Sequence, residues 1–423
     1  MTSVLDAVAL PPGWRLLPFG RLVERSREAG RPDLPPLSVF LDEGVVPRAT
    51  REDNFNRLGS DMAKYLVVRP GDVVFNKLRT WQGGLGVSRY EGLVSPAYFV
   101  CRLSILMEPR FLHYLLRSTP YLAELTRVSK FMPPSQFDIL WDDLRVMPIW
   151  TPPLEIQRAI ADHLDTETAR IDALISKKHR HIELLDERVD SIVFDGIRGR
   201  LTSPESPVVS SEIDWLDNIP QHFETPWLGA RHTTKLGKML NANADTGPDQ
   251  YPYIKNTNVK WDHFCLEDLP TMTFDADDRR RCELRPGDVV VCEGGEVGRS
   301  AVWSYDDEIY FQKALHRVRP VTENVPRFLM YCLWSAAKLN VFAIEGNQST
   351  IVHLTGEKLR EHRFPWPPLD EQDRIASLID DERRRIDEAV KRLEEQVLLL
   401  SERRLALISS VVTGEMPVPG IGM

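Results

Sequence analysis

Leu164, Thr168, Ile171, Ile175, Lys178, Ile182, Leu185, Val189 and Ile192 fall alternately four and three residues apart. An apolar period of 3.5 sustained over four heptads predicts a helix with one seam, the pattern of a coiled coil. The pattern is written twice. Displaced by 215 positions, Ile379, Arg383, Ile386, Val390, Leu393, Val397, Leu400, Arg404 and Leu407 mark the same seam. Each stretch opens on Pro-Pro-Leu-x-x-Gln, at 152–157 and 367–372, and closes on Gly199 or Gly414. Proline suits a helix start and glycine a helix stop. At about 1.5 Å per residue each stretch is a rod roughly 60 Å long. A lone rod with an apolar stripe is unstable, so the two are expected to pack on each other antiparallel.

Shorter motifs extend the repeat outside the helices. Arg69-Pro70-Gly71-Asp72-Val73-Val74 returns as Arg285-Pro286-Gly287-Asp288-Val289-Val290, Pro109-Arg110-Phe111-Leu112 as Pro326-Arg327-Phe328-Leu329, and Leu10-Pro11…Trp14 as Ile219-Pro220…Phe223. Tyr65–Val68 and Val73–Phe75, and likewise Cys282–Leu284 and Val289–Val291, predict strand–turn–strand units. Pro109–Leu125 and Pro326–Phe342 predict amphipathic helices. The expected fold is α+β: two pseudo-symmetric globular domains, separated by two long helices packed as an antiparallel coiled coil. The boundaries read 1–151, 152–199, 200–366 and 367–414, with a tail at 415–423. Two copies of one unit imply approximate twofold symmetry.

Composition narrows the class. A chain of 423 residues is long enough for two or three cores, and no run of about 18 apolar residues is present to span a membrane. Its beginning, Met1 to Asp6, lacks the features of a secretion signal. The five cysteines are scattered without metal-ligand spacing, which fits a reduced, cytoplasmic protein. The net charge of −9 is unevenly distributed: residues 1–151 are net basic, whereas residues 200–366 and both helical stretches are net acidic. An acidic second half binds DNA only where its cations cluster on one face.

Catalytic signatures are missing. There is no NPPY/DPPY-type methyltransferase motif, no Walker A loop, no HExxH, and no lysine with Asp or Glu two positions before it, as a common nuclease site requires. The chain reads as one that binds and positions, without catalytic residues or metal ligands of its own. Side chains suited to phosphates and base edges cluster in equivalent places. The candidates are Asn76, Lys77, Arg79 and Gln82 beside the glycine-rich segment 81–86; Lys130, Ser135 and Gln136 after the first-half helix; Lys255, Asn256, Asn258 and Lys260 in an amide-rich loop; Arg299 beside the glycine-rich segment 293–298; and Gln348 and Ser349. Arg279-Arg280-Arg281 follows Asp275, Asp277 and Asp278 and reads equally as an internally paired loop.

The arrangement resembles the specificity subunit of type I restriction–modification systems over nearly the entire chain. The residues that carry the resemblance are the repeated Pro-Pro-Leu-x-x-Gln start, the apolar seam with Arg170-Ile171-Asp172 and Arg385-Ile386-Asp387, and the close Val412-Thr413-Gly414, for which the first copy has Ile197-Arg198-Gly199. Gln312 to Pro320 is also similar to the family. The resemblance implies that each variable half is a target-recognition domain reading one part of a split sequence in double-stranded DNA, and that the helices set the gap. It also implies docking of two modification (methyltransferase) subunits on the helices, with restriction subunits joining them. S-adenosylmethionine, ATP and Mg²⁺ are then expected on those partners, with no cofactor in this chain. The alternative is a coiled-coil scaffold without DNA readout.

Overall fold

The computed structural model describes residues 5, 10–50, 59, 61–132, 136–239, 250–344 and 353–419. The two predicted rods are helices of 44 residues each, Leu154–Ile197 and Leu369–Val412. The chain forms two compact units, one of residues 1–179 and 394–423, the other of residues 180–393. Each unit therefore contains one globular half, the beginning of the long helix that follows that half, and the end of the other long helix.

Within each unit the two helical segments run antiparallel. In the first, Asp172 lies 2.9 Å from Arg404, and Lys178 donates to the Gln396 side chain. In the second, Arg188 pairs with Glu382 at 3.3 Å. The charged residues in the predicted seam thus meet polar partners. Of the apolar seam residues, Leu164, Ile171, Val189, Ile379 and Ile386 are buried. Ile175, Ile182, Leu185, Ile192, Val390, Leu393, Val397, Leu400 and Leu407 are half-buried.

Each globular half is built on a four-stranded antiparallel sheet of the same topology. In the first unit the strand order is Val23–Ser26, Phe99–Leu103, Val73–Phe75, Leu85–Val87; in the second it is His232–Leu236, Leu315–Pro320, Val289–Cys292, Ser300–Val302. The apolar side chains of Val73, Phe75, Phe99 and Phe111 join Ile160, Leu164, Ile408 and Val412 of the helical segments in one core. Val289, Val291, Val318 and Phe328 join Val193, Ile197, Ile375 and Ile379 in the corresponding core of the second unit.

The repeated motifs are the joints of this architecture. In Arg-Pro-Gly-Asp, Gly71 and Gly287 adopt φ of 93° and 92°, the left-handed conformation that a turn with proline ahead of it reserves for glycine. The Asp72 and Asp288 carboxylates close the turn on the backbone N–H of Arg69 and Arg285, at 2.8 and 2.7 Å. In Pro-Pro-Leu-x-x-Gln, the glutamine ties the helix start to the sheet domain. Gln157 accepts from the N–H of Glu108 at 2.8 Å and donates to the Pro152 carbonyl at 2.8 Å. Gln372 does the same with Val325 at 3.1 Å and Pro367 at 2.9 Å.

In Pro-Arg-Phe-Leu, Arg110 bonds to Asp162 and Asp165, and Arg327 bonds to Asp380. The closing glycines also have a contact to explain them. A Cβ on Gly199 would stand 2.6 Å from Pro220 and 2.8 Å from Phe223, and one on Gly414 2.5 Å from Pro11 and 3.4 Å from Trp14. That contact accounts for the third repeated motif.

Three local expectations are corrected. Leu66–Val68 pairs with Gly92–Val94, so the Arg69–Asp72 turn does not close a hairpin. Cys282 ends a helix, Ala276–Cys282, whose N-cap Asp275 accepts from the N–H groups of Asp277 and Asp278; Glu283 makes only an isolated bridge to Tyr310. The amphipathic stretches each divide, into Pro109–Leu116 and Thr119–Val128, and into Pro326–Lys338 and Val341–Ile344. Pro120 lacks the N–H that would continue the first helix, and Asn340 at φ 58° interrupts the second. Two arginines of the run are paired within it, Arg280 with Asp277 at 3.1 Å and Arg281 with Asp278 at 3.0 Å, while Arg279 bonds to the Tyr251 hydroxyl.

Candidate nucleic-acid interface

In both units a connector leaves the strand that carries Val-Val, crosses the end of the sheet and returns as the edge strand. In the first unit it comprises residues 76–84. Asn76 bonds through its backbone N–H to the Gly84 carbonyl at 2.9 Å, and its own carbonyl accepts from the Arg79 N–H and the Thr80 hydroxyl. Gly84 is required because a Cβ there would lie 2.8 Å from Arg79. The buried Asn76 amide donates to the Tyr98 hydroxyl at 3.0 Å.

Lys77 pairs with Asp138 at 3.2 Å, while Arg79 and Gln82 face solvent. Trp81 packs on Phe137 with ring centroids 4.9 Å apart, and Phe137 on Phe131 at 5.2 Å. The connector is thereby joined to the hairpin Lys130–Met132/Gln136–Asp138, which presents Lys130 to solvent. Ser135 lies outside the described residues, and Gln136 is described by its backbone alone.

The second connector, residues 293–299, turns through Gly295 and Gly298 at φ 75° and 85°. Its Arg299 reaches inward, donating to Glu296 at 3.0 Å and to the Asn256 carbonyl at 2.9 Å. The Asn258 side chain folds its own turn, accepting from the Lys255 N–H at 3.1 Å and donating to the Cys265 carbonyl at 2.9 Å. Lys255 is exposed, and Asn256 and Lys260 are half-exposed. The structure thus brings Lys255, Asn256, Asn258, Lys260 and Arg299 together on two adjoining loops. Gln348 and Ser349 lie outside the described residues.

Several residues that hold these loops escaped sequence reasoning. Arg117 donates to the carbonyls of Gly83 and Leu85, each at 2.9 Å, and to those of Leu41 and Asp42. Neutral His113, its pKa pushed down to about 3, chiefly by burial, accepts from the Val87 N–H at 3.2 Å. Asp262, at φ 64°, takes bonds from Arg327 at 2.8 Å and from Arg383 at 2.6 Å. The available signal for the last was Arg383, a charged residue at a position of the largely apolar seam.

Among the described residues, no group of three or more His, Cys, Asp or Glu side chains is arranged to hold a metal ion, and no helix is long and apolar enough to cross a membrane.

Comparison with known proteins places this architecture. Residues 232–398 match the type I restriction modification DNA specificity domain. The chain is 20% identical over 442 residues to the EcoKI specificity subunit of a type I restriction enzyme from Escherichia coli strain K12, covering 97% of this chain and 91% of that relative. It is 19% identical over 277 residues to the EcoBI specificity subunit of Escherichia coli, over 63% of this chain and 57% of the relative's length.

Its fold is similar to that of the HsdS subunit from Thermoanaerobacter tengcongensis, with a TM-score of 0.55 and 20% identity over 98% of this chain and all of that one. A chain from a structural study of complex assembly and conformational transition of the type I R-M system gives a TM-score of 0.67 at 18% identity, over 96% of this chain and all of that one. The second half is thus a DNA specificity domain set among long helices. Over nearly its whole length the chain is similar to type I restriction–modification specificity subunits.

Proposed function

We propose that this chain is the non-catalytic, sequence-specific DNA-binding subunit of a type I restriction–modification complex. Each half reads one part of a bipartite site, and the helix pair sets the gap. The observation that carries this reading is the single sheet topology used twice, with equivalent connectors bearing different polar side chains: Asn76, Lys77, Arg79 and Gln82 in one half, Arg299 beside Lys255, Asn256 and Lys260 in the other. A common frame with divergent loops is what two readers of two sequences require, because side chains on base edges specify and the frame positions them.

The helices also dock two modification subunits, which supply S-adenosylmethionine for adenine methylation; restriction subunits with ATP and Mg²⁺ complete the complex. Leu399 and Leu405, each more than half exposed, are apolar groups on the second helix suited to such docking.

The test is a matched deletion. Removing residues 177–183 and 392–398 takes two turns from each helix and preserves the seam. It shortens each helix by about 10 Å, or about three base pairs at about 3.4 Å each. The methylated motif is expected to keep both half-site sequences and lose about three base pairs of gap. Altered half-sites with an unchanged gap would refute the reading.

A further inference from the structure

Arg117 and Trp334 occupy the same place in the two halves, seven residues beyond the arginine of Pro-Arg-Phe-Leu. Both reach the loops that bear the candidate base-reading side chains, by different chemistry. The Arg117 guanidinium bonds to four main-chain carbonyls on two loops. Those of Gly83 and Leu85 lie at the end of the glycine-rich connector and the start of its edge strand, and those of Leu41 and Asp42 in the turn between strands Leu37–Phe40 and Gly44–Pro47.

Trp334, 8% exposed, packs on Trp261 with ring centroids 4.8 Å apart. On Trp334 also lies Arg383, 4.8 Å from the ring, and the Trp334 Nε1 donates to Asp190 at 2.8 Å. Trp261 in turn donates to Glu296 of the connector at 2.6 Å. Its neighbour Asp262 is gripped by Arg327 and Arg383.

We infer that Arg117 and Trp334 are positioning residues for base readout: each fixes the connector of its own half against a neighbouring loop without touching DNA. Resting on the function proposed above, this assigns the residues that set specificity indirectly. The Arg117 bonds go to main-chain oxygens, so loop side chains can vary while the loop path stays fixed. A bidentate contact to a base edge discriminates only while its geometry holds, so loosening the loops lowers discrimination in the half they belong to.

The experiment maps methylation by the complete complex carrying Arg117→Lys, Arg117→Ala, Trp334→Leu or Trp334→Phe, beside the unaltered chain. Arg117→Lys keeps the charge and cannot span four carbonyls; Trp334→Phe keeps an aromatic face on Trp261. Arg117→Lys is expected to lower the preference for the cognate over singly mismatched sequence by about ten-fold in one half-site. Trp334→Leu should do the same in the other half-site, with Trp334→Phe largely restoring it, while complex assembly and the opposite half-site stay unchanged.

An unchanged preference in both halves, or a proportional loss at every site, would overturn the inference. Should an alanine or leucine variant fail to assemble, Arg117→Lys and Trp334→Phe give the reading instead. Failure of the function itself has a different signature, since the unaltered complex would then show no split motif dependent on this chain.

Discussion

Replacing Ile379 by Asp is expected to unfold the core of the second unit, at a cost above about 4 kcal/mol. Ile379 has no exposed surface and shares a core with Val193, Ile197, Ile375 and Phe328. A Cβ on Gly196 would stand 2.7 Å from the Ile379 Cδ1, so the helices meet closely there, without room for a hydrated carboxylate. Leu164, its equivalent 215 positions earlier and equally buried, should behave alike in the first unit. Leu399, 62% exposed, is the control: Leu399→Asp should alter folding by less than about 0.5 kcal/mol and weaken capture of the modification subunit. Urea unfolding followed by circular dichroism separates these cases. Equal stability of the Ile379 and Leu399 variants would contradict the packing described.

Exchanging residues 1–151 for the first half of another specificity subunit is expected to replace one half-site and leave the other intact. The polar attachments of the first half ask little of a graft's side chains, provided that its core packs on Ile160, Leu164, Ile408 and Val412. Gln157 bonds to main-chain atoms of Leu106 and Glu108, which any graft supplies. The Arg110 pairs with Asp162 and Asp165 require only that the graft keep that arginine. Methylation mapping of the chimera reads the result: a changed sequence in both half-sites would contradict independent reading by the two halves.

The helices were legible because a period of 3.5 over four heptads has few other physical explanations, and the Pro-Pro and Gly signals mark both ends. The equivalence of the halves was legible from Arg-Pro-Gly-Asp and Pro-Arg-Phe-Leu, because each motif is contiguous and recurs whole in the second half. Strand partners were not, since pairing Leu66–Val68 with Gly92–Val94 depends on segments far apart in sequence. The loop supports were hidden for a related reason. Arg117 makes its bonds to carbonyls up to 76 residues away, and carbonyls leave no trace in a sequence. Nor does composition reveal that Arg299 turns inward to Glu296 and Asn256 while Arg79 faces solvent.

The most direct measurement is single-molecule methylation mapping of DNA from cells that carry this chain with its genomic neighbours, against cells lacking only this chain. The expected result is a split adenine-methylation motif that disappears with the chain. Unchanged methylation, with the partner subunits confirmed active, would contradict it and favour a scaffold without DNA readout.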